Sequence, residues 1–454
     1  MSLETVNPHT GKLIKSFDEY SSEQVKEIID KSQLSFYKWK ETDFALRKKL
    51  MLNVANILRK DKRKYSELMT IEMGKPITQA EAEVEKCACV CEYYADNAEA
   101  ILSKEIIDTD ASESFVRFDP LGVILAVMPW NFPFWQVFRF AAPAIMAGNI
   151  GLLKHASNVP QCALAIQEVF QKADFPEYTF STLLIGSSNV NEVISNNIVK
   201  AVTLTGSDYA GRKVAEQCGK MLKKSVMELG GSDPFIVLKD ADIDLAVSTA
   251  VTARLINNGQ SCIAAKRFIV EEVIYDKFTQ KFVAKMEKTK IGDPMNKDTE
   301  LGPLARKDLL LELDEQVKRS VKLGARILTG CYQLEREGYY YAPSIIANVT
   351  KGMPAYDEEL FGPIASLILA KDENDAIRIA NDTLFGLGSS LWTKDRAKAK
   401  KLAEKIEAGS VFINGLVKSD PRLPFGGIKL SGYGRELSHY GIKEFVNIKT
   451  VWVK

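Results

Sequence analysis

Histidine is nearly missing from this chain: His9, His155 and His439 are the only three in 454 residues. They lie far apart, so a His/Cys metal site has little to stand on and a Cys–His catalytic pair would need help from the fold. An excess of one charge is missing too. Lys+Arg number 60 against 59 for Asp+Glu, a net charge of +1, and the basic surplus that marks nucleic-acid binding is absent. No apolar run approaches the ~20 residues that span a bilayer; "LGVILAVMPW" and "AAPAIMAGNIGLL" are the most apolar windows. The opening "MSLETVNPHTGKLIKSF" has neither an apolar h-region nor an Arg/Ser-rich amphipathic stretch, so a cytoplasmic protein without membrane or nucleic-acid partner is expected. The seven cysteines form no short-spaced framework of the secreted kind. On a helix, Cys87 and Cys91 share a face while Cys89 points away, and the three cannot converge on one ion. No metal is expected.

What is present is the balance of a globular enzyme-sized chain, 46% hydrophobic and 26% charged, long enough for two or three domains. The N-terminal third is helical in pattern, with Leu50, Val54, Ile57 and Leu58 recurring after Leu46 as an amphipathic stripe. After Pro120 the texture changes. Strand-length runs such as "GVILAVMP", "GNIGLLKH", "STLLIGS", "KAVTLTGS", "KKSVMELGG" and "DPFIVL" alternate with helical segments, the signature of βαβ units. A second series, with "KRFIVEE", "ARILTG", "IASLILA" and "GSVFING" as strands, follows Cys262. Two α/β lobes joined near Gly230–Gly231 are expected, with a site in the cleft between them.

The cysteine stretch and five further clusters carry the chemistry, and each has a plainer alternative. "NNGQSCIAAKR" sets Cys262 between a polar glycine-bearing turn and a small-residue run; the residue is either a nucleophile or a small buried hydrophobe. "PWNFP" holds Asn131 in a rigid turn, aimed into a cleft or bonded to its own backbone. "LTGS" ends a strand and opens a helix, so Gly206 and Ser207 present free N–H groups to a phosphate or form an ordinary turn. The full G-x-G-x-x-G fingerprint is absent from it. "MELGG" ends a strand in Glu228, a general base if burial raises its pKa and otherwise an ion-pair partner. "EELFGP" and "PFGGIKLSGYGRE" are turns whose acidic and aromatic residues either line a pocket or simply connect elements.

Taken together and in this order, the clusters resemble the NAD(P)-dependent aldehyde dehydrogenase superfamily, from "NPHTGKLI" to "IKTVWVK". The resemblance implies an α/β aldehyde dehydrogenase fold. Its parts would be a Rossmann-like cofactor domain (residues 1–101 and 121–229), an α/β catalytic domain (230–424) and a small β oligomerisation element (102–120 and 437–454). "SFVRFDP" and "IKTVWVK" would pair between subunits of a homodimer or homotetramer. It further implies that Cys262 attacks an aldehyde carbon and that Asn131 and the Cys262 N–H hold the oxyanion. Hydride then leaves to the nicotinamide, and Glu228 activates water against the thioester.

No histidine stands by motif beside Cys262, so the thiol would be activated by backbone dipoles, the cofactor's charge or Glu228. For the cofactor, NADP or NAD, the resemblance points to Trp130, Lys154, Gly206, Ser207, Leu229, Glu359 and Phe361. Where many NAD-preferring members read K-P-x-E, this chain reads "KHAS". Ser157 thus replaces a carboxylate that would repel a 2′-phosphate, and NADP⁺ is expected to be accepted. Arg139 matches an arginine that binds the substrate carboxylate in succinic semialdehyde dehydrogenases, its alternative being a salt bridge between helices. Arg254 and Ser419 are further substrate candidates. The small-molecule aldehyde expected is succinic semialdehyde, with another aldehyde, or thiol-ester hydrolysis without redox chemistry, as the alternatives.

Overall fold

The computed structural model describes residues 2–454. A hairpin of Ser2–Asn7 and Lys12–Asp18 precedes four helices, Ser22–Trp39, Phe44–Lys60, Lys62–Met73 and Ile77–Ile101. The expected stripe is there: Leu50, Val54 and Leu58 are buried, while Leu46 faces solvent because it sits in the first turn after the Asp43 N-cap. No helix among the described residues is long and apolar enough to cross a membrane.

Two large sheets carry most of the remaining strands. The first has six strands, in the order Gly432–Tyr433, Lys224–Glu228, Val199–Thr205, Val123–Met128, Ile150–His155 and Phe180–Thr182. All its pairings are parallel except that of Gly432–Tyr433, which returns antiparallel beside Met227 and Glu228. Parallel strands are covered on both faces and read as continuous apolar runs, as "VILAVM" does. Their carboxyl ends share one edge, where an open α/β sheet binds ligands. From that edge emerge the turns containing Asn131, Ser157 and Gly206, with Lys154 in register with Val127 on the neighbouring strand.

At Leu229–Asp233 the chain crosses into a seven-stranded sheet, ordered Arg326–Thr329, Ser344–Ala347, Ile364–Ala370, Arg267–Glu271, Pro234–Val237, Gly388–Trp392 and Ser410–Ile413. Alternate residues divide between its faces. Ile236, Ile269 and Ile368 pack in one core, and Phe235, Val237, Phe268 and Val270 in the other. Two of these strands, "SIIA" and "GSSLW", are not evident in the sequence pattern: the first is too short, and the second is rich in glycine and serine. Glu113–Pro120 and Val446–Val453 pair antiparallel with one another, and Glu105–Ile106 completes a third sheet. That sheet leaves the Val446–Val453 edge open, with Ile448, Trp452 and Val453 exposed.

Candidate active site

Cys262 follows a turn that the backbone resists. Helix Ile243–Leu255 stops at Ile256, and Asn257, Asn258 and Gly259 all take left-handed conformations, with φ of 54°, 59° and 77°. Asparagine tolerates this region better than most side chains. At Gly259 a Cβ would meet the Gly362 carbonyl carbon at 2.3 Å, so only glycine fits. Tertiary bonds hold the turn. The Asn257 N–H donates to Gln79 Oε1 (2.7 Å), and Asn258 Nδ2 donates to the carbonyls of Gly74 and Pro303 (2.9 Å each). Asn257 Nδ2 donates to the carbonyls of Asn131 (2.6 Å) and Gln260 (2.9 Å).

Asn131 thus shares its anchors with the cysteine loop. Its Nδ2 donates to the Gln260 carbonyl at 3.1 Å, which occupies one of two amide hydrogens. The Cys262 N–H meets no protein acceptor among the described residues. Lys266, a residue the sequence patterns did not single out, braces the loop from beneath. Its ammonium donates to the carbonyls of Ser261, Cys262 and Ala264 (3.0, 2.9 and 3.2 Å) and pairs with Glu359 at 3.0 Å. Its only signal in the sequence is a lysine four positions past Cys262, where an apolar strand begins. Burial pushes the Cys262 thiol up to about 12, against the opposing charges of Arg139 and Lys266.

A cavity of about 470 Å³ brings together Cys262, Asn131, Trp130, Gly206, Ser207, Leu229, Glu359 and Phe361. Ser207 caps helix Asp208–Lys220, its Oγ accepting from the Ala210 N–H, so that helix's positive end opens here. Glu359 accepts from the Gly231 N–H at 3.2 Å. At Gly230 a Cβ would come within 2.4 Å of Glu359 Oε2, and at Gly231 within 2.8 Å of the Cys262 carbonyl oxygen, which explains the paired glycines. Phe361 stands edge-on to Trp130, ring centroids 5.8 Å apart.

Lys154 and Ser157 lie outside this lining, farther along the same sheet edge. Lys154 is 7% exposed and has no ion-pair or hydrogen-bonding partner among the described residues, while Ser157 is exposed. Between them His155 is structural. Its Nε2 bonds the Pro133 carbonyl (2.9 Å), its Nδ1 accepts from the Ala156 N–H (2.9 Å), and burial lowers its pKa to about 4, so the ring is neutral and ties "KHAS" to "PWNFP".

Glu228 is 2% exposed, and neither carboxylate oxygen has a hydrogen-bond partner. Burial, then the charge of Glu436, raises its pKa well above the carboxylate range, and Arg139 and Arg435 oppose the shift. Its Oε1 lies against Gly426, where a Cβ would approach within 2.7 Å. The carboxylate therefore sits behind the cavity wall that its neighbours Leu229 and Gly230 form.

The three substrate candidates fare differently. Arg139 is an ion-pair residue: its guanidinium binds Glu436, donates to Gln136 Oε1 (2.7 Å) and Thr205 Oγ1 (3.3 Å), and lies over Phe425. The partner is a loop rather than a second helix. Arg254 is fully buried and donates to the Gly259 carbonyl at 2.6 Å, bracing the left-handed turn. Its place in the last turn of helix Ile243–Leu255 turns it inward beneath the loop. Ser419 is buried outside this cavity lining, its Oγ accepting from Lys86 Nζ at 2.6 Å.

Comparison with known proteins agrees with this construction. The aldehyde dehydrogenase family model matches residues 1–451. A Synechocystis sp. protein named a probable succinate-semialdehyde dehydrogenase [NADP(+)] is 52% identical over 453 residues, covering 100% of both chains. The Mycobacterium tuberculosis succinate-semialdehyde dehydrogenase [NADP(+)] 1 is 50% identical over 456 residues, again covering 100% of each. Among solved structures, succinic semialdehyde dehydrogenase from Streptococcus pyogenes, in complex with NADP⁺, superposes with a TM-score of 0.98 at 39% identity, covering 99% of each chain. With a cysteine loop, an amide and a strand-end helix start gathered on one cavity and a family match over nearly every residue, this chain belongs to the aldehyde dehydrogenase family.

Proposed function

We propose that the chain oxidises succinic semialdehyde to succinate with NADP⁺ as the hydride acceptor. The observation that carries the chemistry is the single cavity holding the Cys262 thiol, the Asn131 amide and the Gly206–Ser207 helix start. The substrate rests on the full-length relatives of that name at 50–52% identity.

The residues fit such a cofactor. The buried, unpartnered Lys154 ammonium is free to bond ribose hydroxyls, and the exposed Ser157 hydroxyl leaves room for a 2′-phosphate. The Ser207-capped helix offers N–H groups to a pyrophosphate, and Glu359 and Phe361 are placed for the nicotinamide end. When bound, the nicotinamide supplies the hydride acceptor that converts the cysteine adduct to a thioester.

The protein's own steps follow from its groups. Cys262 sulfur, as thiolate, bonds to the aldehyde carbon, and the carbonyl oxygen gains the negative charge. The second Asn131 amide hydrogen and the free Cys262 N–H meet that oxyanion; one such donor typically lowers a barrier by ~3 kcal/mol. Glu228, whose buried carboxyl has a high proton affinity, turns from Gly426 toward the thioester and takes a proton from water as the C–S bond breaks. We further propose that the open Val446–Val453 edge, with its exposed apolar residues, pairs with a second copy of the chain in a homodimer or homotetramer.

A second reading, oxidation of uncharged aldehydes, draws on the commitment of Arg139 to Glu436. The two separate in kcat/KM with NADP⁺ for succinic semialdehyde against butanal. A preference of about tenfold or more, ~1.4 kcal/mol of transition-state discrimination, supports the acid aldehyde. Equal values support the second reading.

A further inference from the structure

Helix Trp135–Met146 begins without a cap of its own, because Phe134 at its N-cap offers no side-chain acceptor. The acceptor comes from another helix. Glu83, in Ile77–Ile101, takes the N–H groups of Phe134 (3.0 Å) and Trp135 (2.9 Å) on one carboxylate oxygen and binds the Lys75 ammonium with the other. Both side chains are buried, Lys75 completely. Lys75 has no other hydrogen-bonding partner among the described residues, and its ammonium lies 3.8 Å from the centre of the Phe132 ring.

These contacts fall on the residues that directly follow Asn131. The cation meets Phe132, His155 bonds the Pro133 carbonyl, and the Glu83 carboxylate takes the Phe134 N–H. Asn131 itself lines the cavity with Cys262, whereas Phe132 lines a second cavity, of about 510 Å³, with Gln79, Glu83 and Trp135. The same stretch of chain reaches the cysteine loop. Gly74 and Gln79 bond the turn before Cys262, so residues 74–83 support both groups that face the oxyanion. A buried ion pair adds little stability, since desolvation offsets attraction, and a neutral side chain can cap a helix without that cost. What the charged pair adds is orientation: the ammonium fixes one carboxylate oxygen and two N–H groups fix the other.

We infer that Glu83, held by Lys75, is a positioning residue for the reaction: it sets the turn so that the second Asn131 amide hydrogen meets the oxyanion. The inference rests on the oxyanion role proposed for Asn131 above and on no particular aldehyde. A double-mutant cycle of wild type, Glu83→Gln, Asn131→Ala and the double variant tests it, by steady-state kinetics with NADP⁺ and either succinic semialdehyde or butanal, beside each variant's Tm.

In Glu83→Gln, kcat is expected to fall about 10- to 100-fold for both aldehydes, the effect of a slightly misplaced catalytic group, with KM for the aldehyde nearly unchanged. In the Asn131→Ala background the same substitution should cost less than about threefold, because the donor it positions is already gone. Lys75→Met combined with Glu83→Gln removes both charges, keeps a carbonyl for the two N–H groups, and should recover much of the lost kcat. Equal losses in the two backgrounds overturn the inference and leave Glu83 a support of the fold. A loss confined to KM for succinic semialdehyde overturns it too, by placing Glu83 on the substrate. Wild-type kcat in Asn131→Ala removes the reading of Asn131 and this inference with it. Should Glu83→Gln not fold, Glu83→Asp, which keeps the charge but withdraws it from the turn, enters the same cycle, and equal losses there overturn the inference as well.

Discussion

On the Gly206–Ser207 side of Cys262, the capped helix start and the Gly230 crossing bring backbone into the cavity wall beside the side chains of Trp130, Leu229, Glu359 and Phe361. On the Trp135 side the wall is side chains, brought from helix Ile77–Ile101, the start of helix Trp135–Met146 and the end of helix Ile243–Leu255. Backbone groups suit a ligand with the same phosphates and ribose in every turnover. Side-chain walls can be changed one residue at a time, which is how a shared reaction acquires a particular aldehyde.

The contrast predicts where each substitution will act. Changes in the dividing wall strike every substrate. Glu228→Gln removes the proton acceptor, and turnover should fall about 10²- to 10⁴-fold for acid and uncharged aldehydes alike. A first-turnover burst of NADPH should survive, and its loss would move Glu228 to an earlier step. Asn131→Ala should lower kcat by about 10²- to 10³-fold without a matching rise in KM; a change confined to KM would make Asn131 a binding residue only.

Substitutions on the Gly206–Ser207 side should touch the cofactor alone. Ser157→Glu places a carboxylate where a 2′-phosphate is proposed to lie, and KM for NADP⁺ should rise about tenfold while NAD⁺ use is spared. A parallel rise for both would put the phosphate elsewhere. The smallest effect concerns the thiol itself. With the Cys262 thiol pushed up to about 12, the protonated form dominates near neutrality in the cofactor-free enzyme. Each unit by which the pH is raised towards that value should therefore increase iodoacetamide alkylation of Cys262 about tenfold. A plateau below pH 9 would mean that the Arg139 and Lys266 charges outweigh burial.

The sequence was a better guide to the first wall than to the second. Cys262, Asn131, Gly206, Ser207, Glu359 and Phe361 stand in short contiguous motifs, and the structure gathers them on one cavity. Local runs also announced most strands of both sheets, because buried parallel strands are continuous apolar stretches. Glu83 is different. It sits in "AEVEKCACVC", an ordinary helical stretch, and acquires meaning only when the fold sets it against Lys75 and the N–H groups of Phe134 and Trp135. Arg139 presents the reverse case. Its position in the motif suggests a ligand, but Glu436, delivered by a distant loop, claims its charge.

The left-handed turn before Cys262 also bears on how the enzyme assembles. Its anchors come from Gly74, Gln79 and Pro303, so one comes after it in the chain and two lie far before it. Such contacts close late, because each must wait for long loops of chain to be ordered. A nascent or partly unfolded chain therefore carries Cys262 as an ordinary thiol in a slack segment, with no oxyanion donors aligned beside it. Reactivity arrives with the last long-range contacts, and the maturing protein holds no competent nucleophile until both sheets are in place.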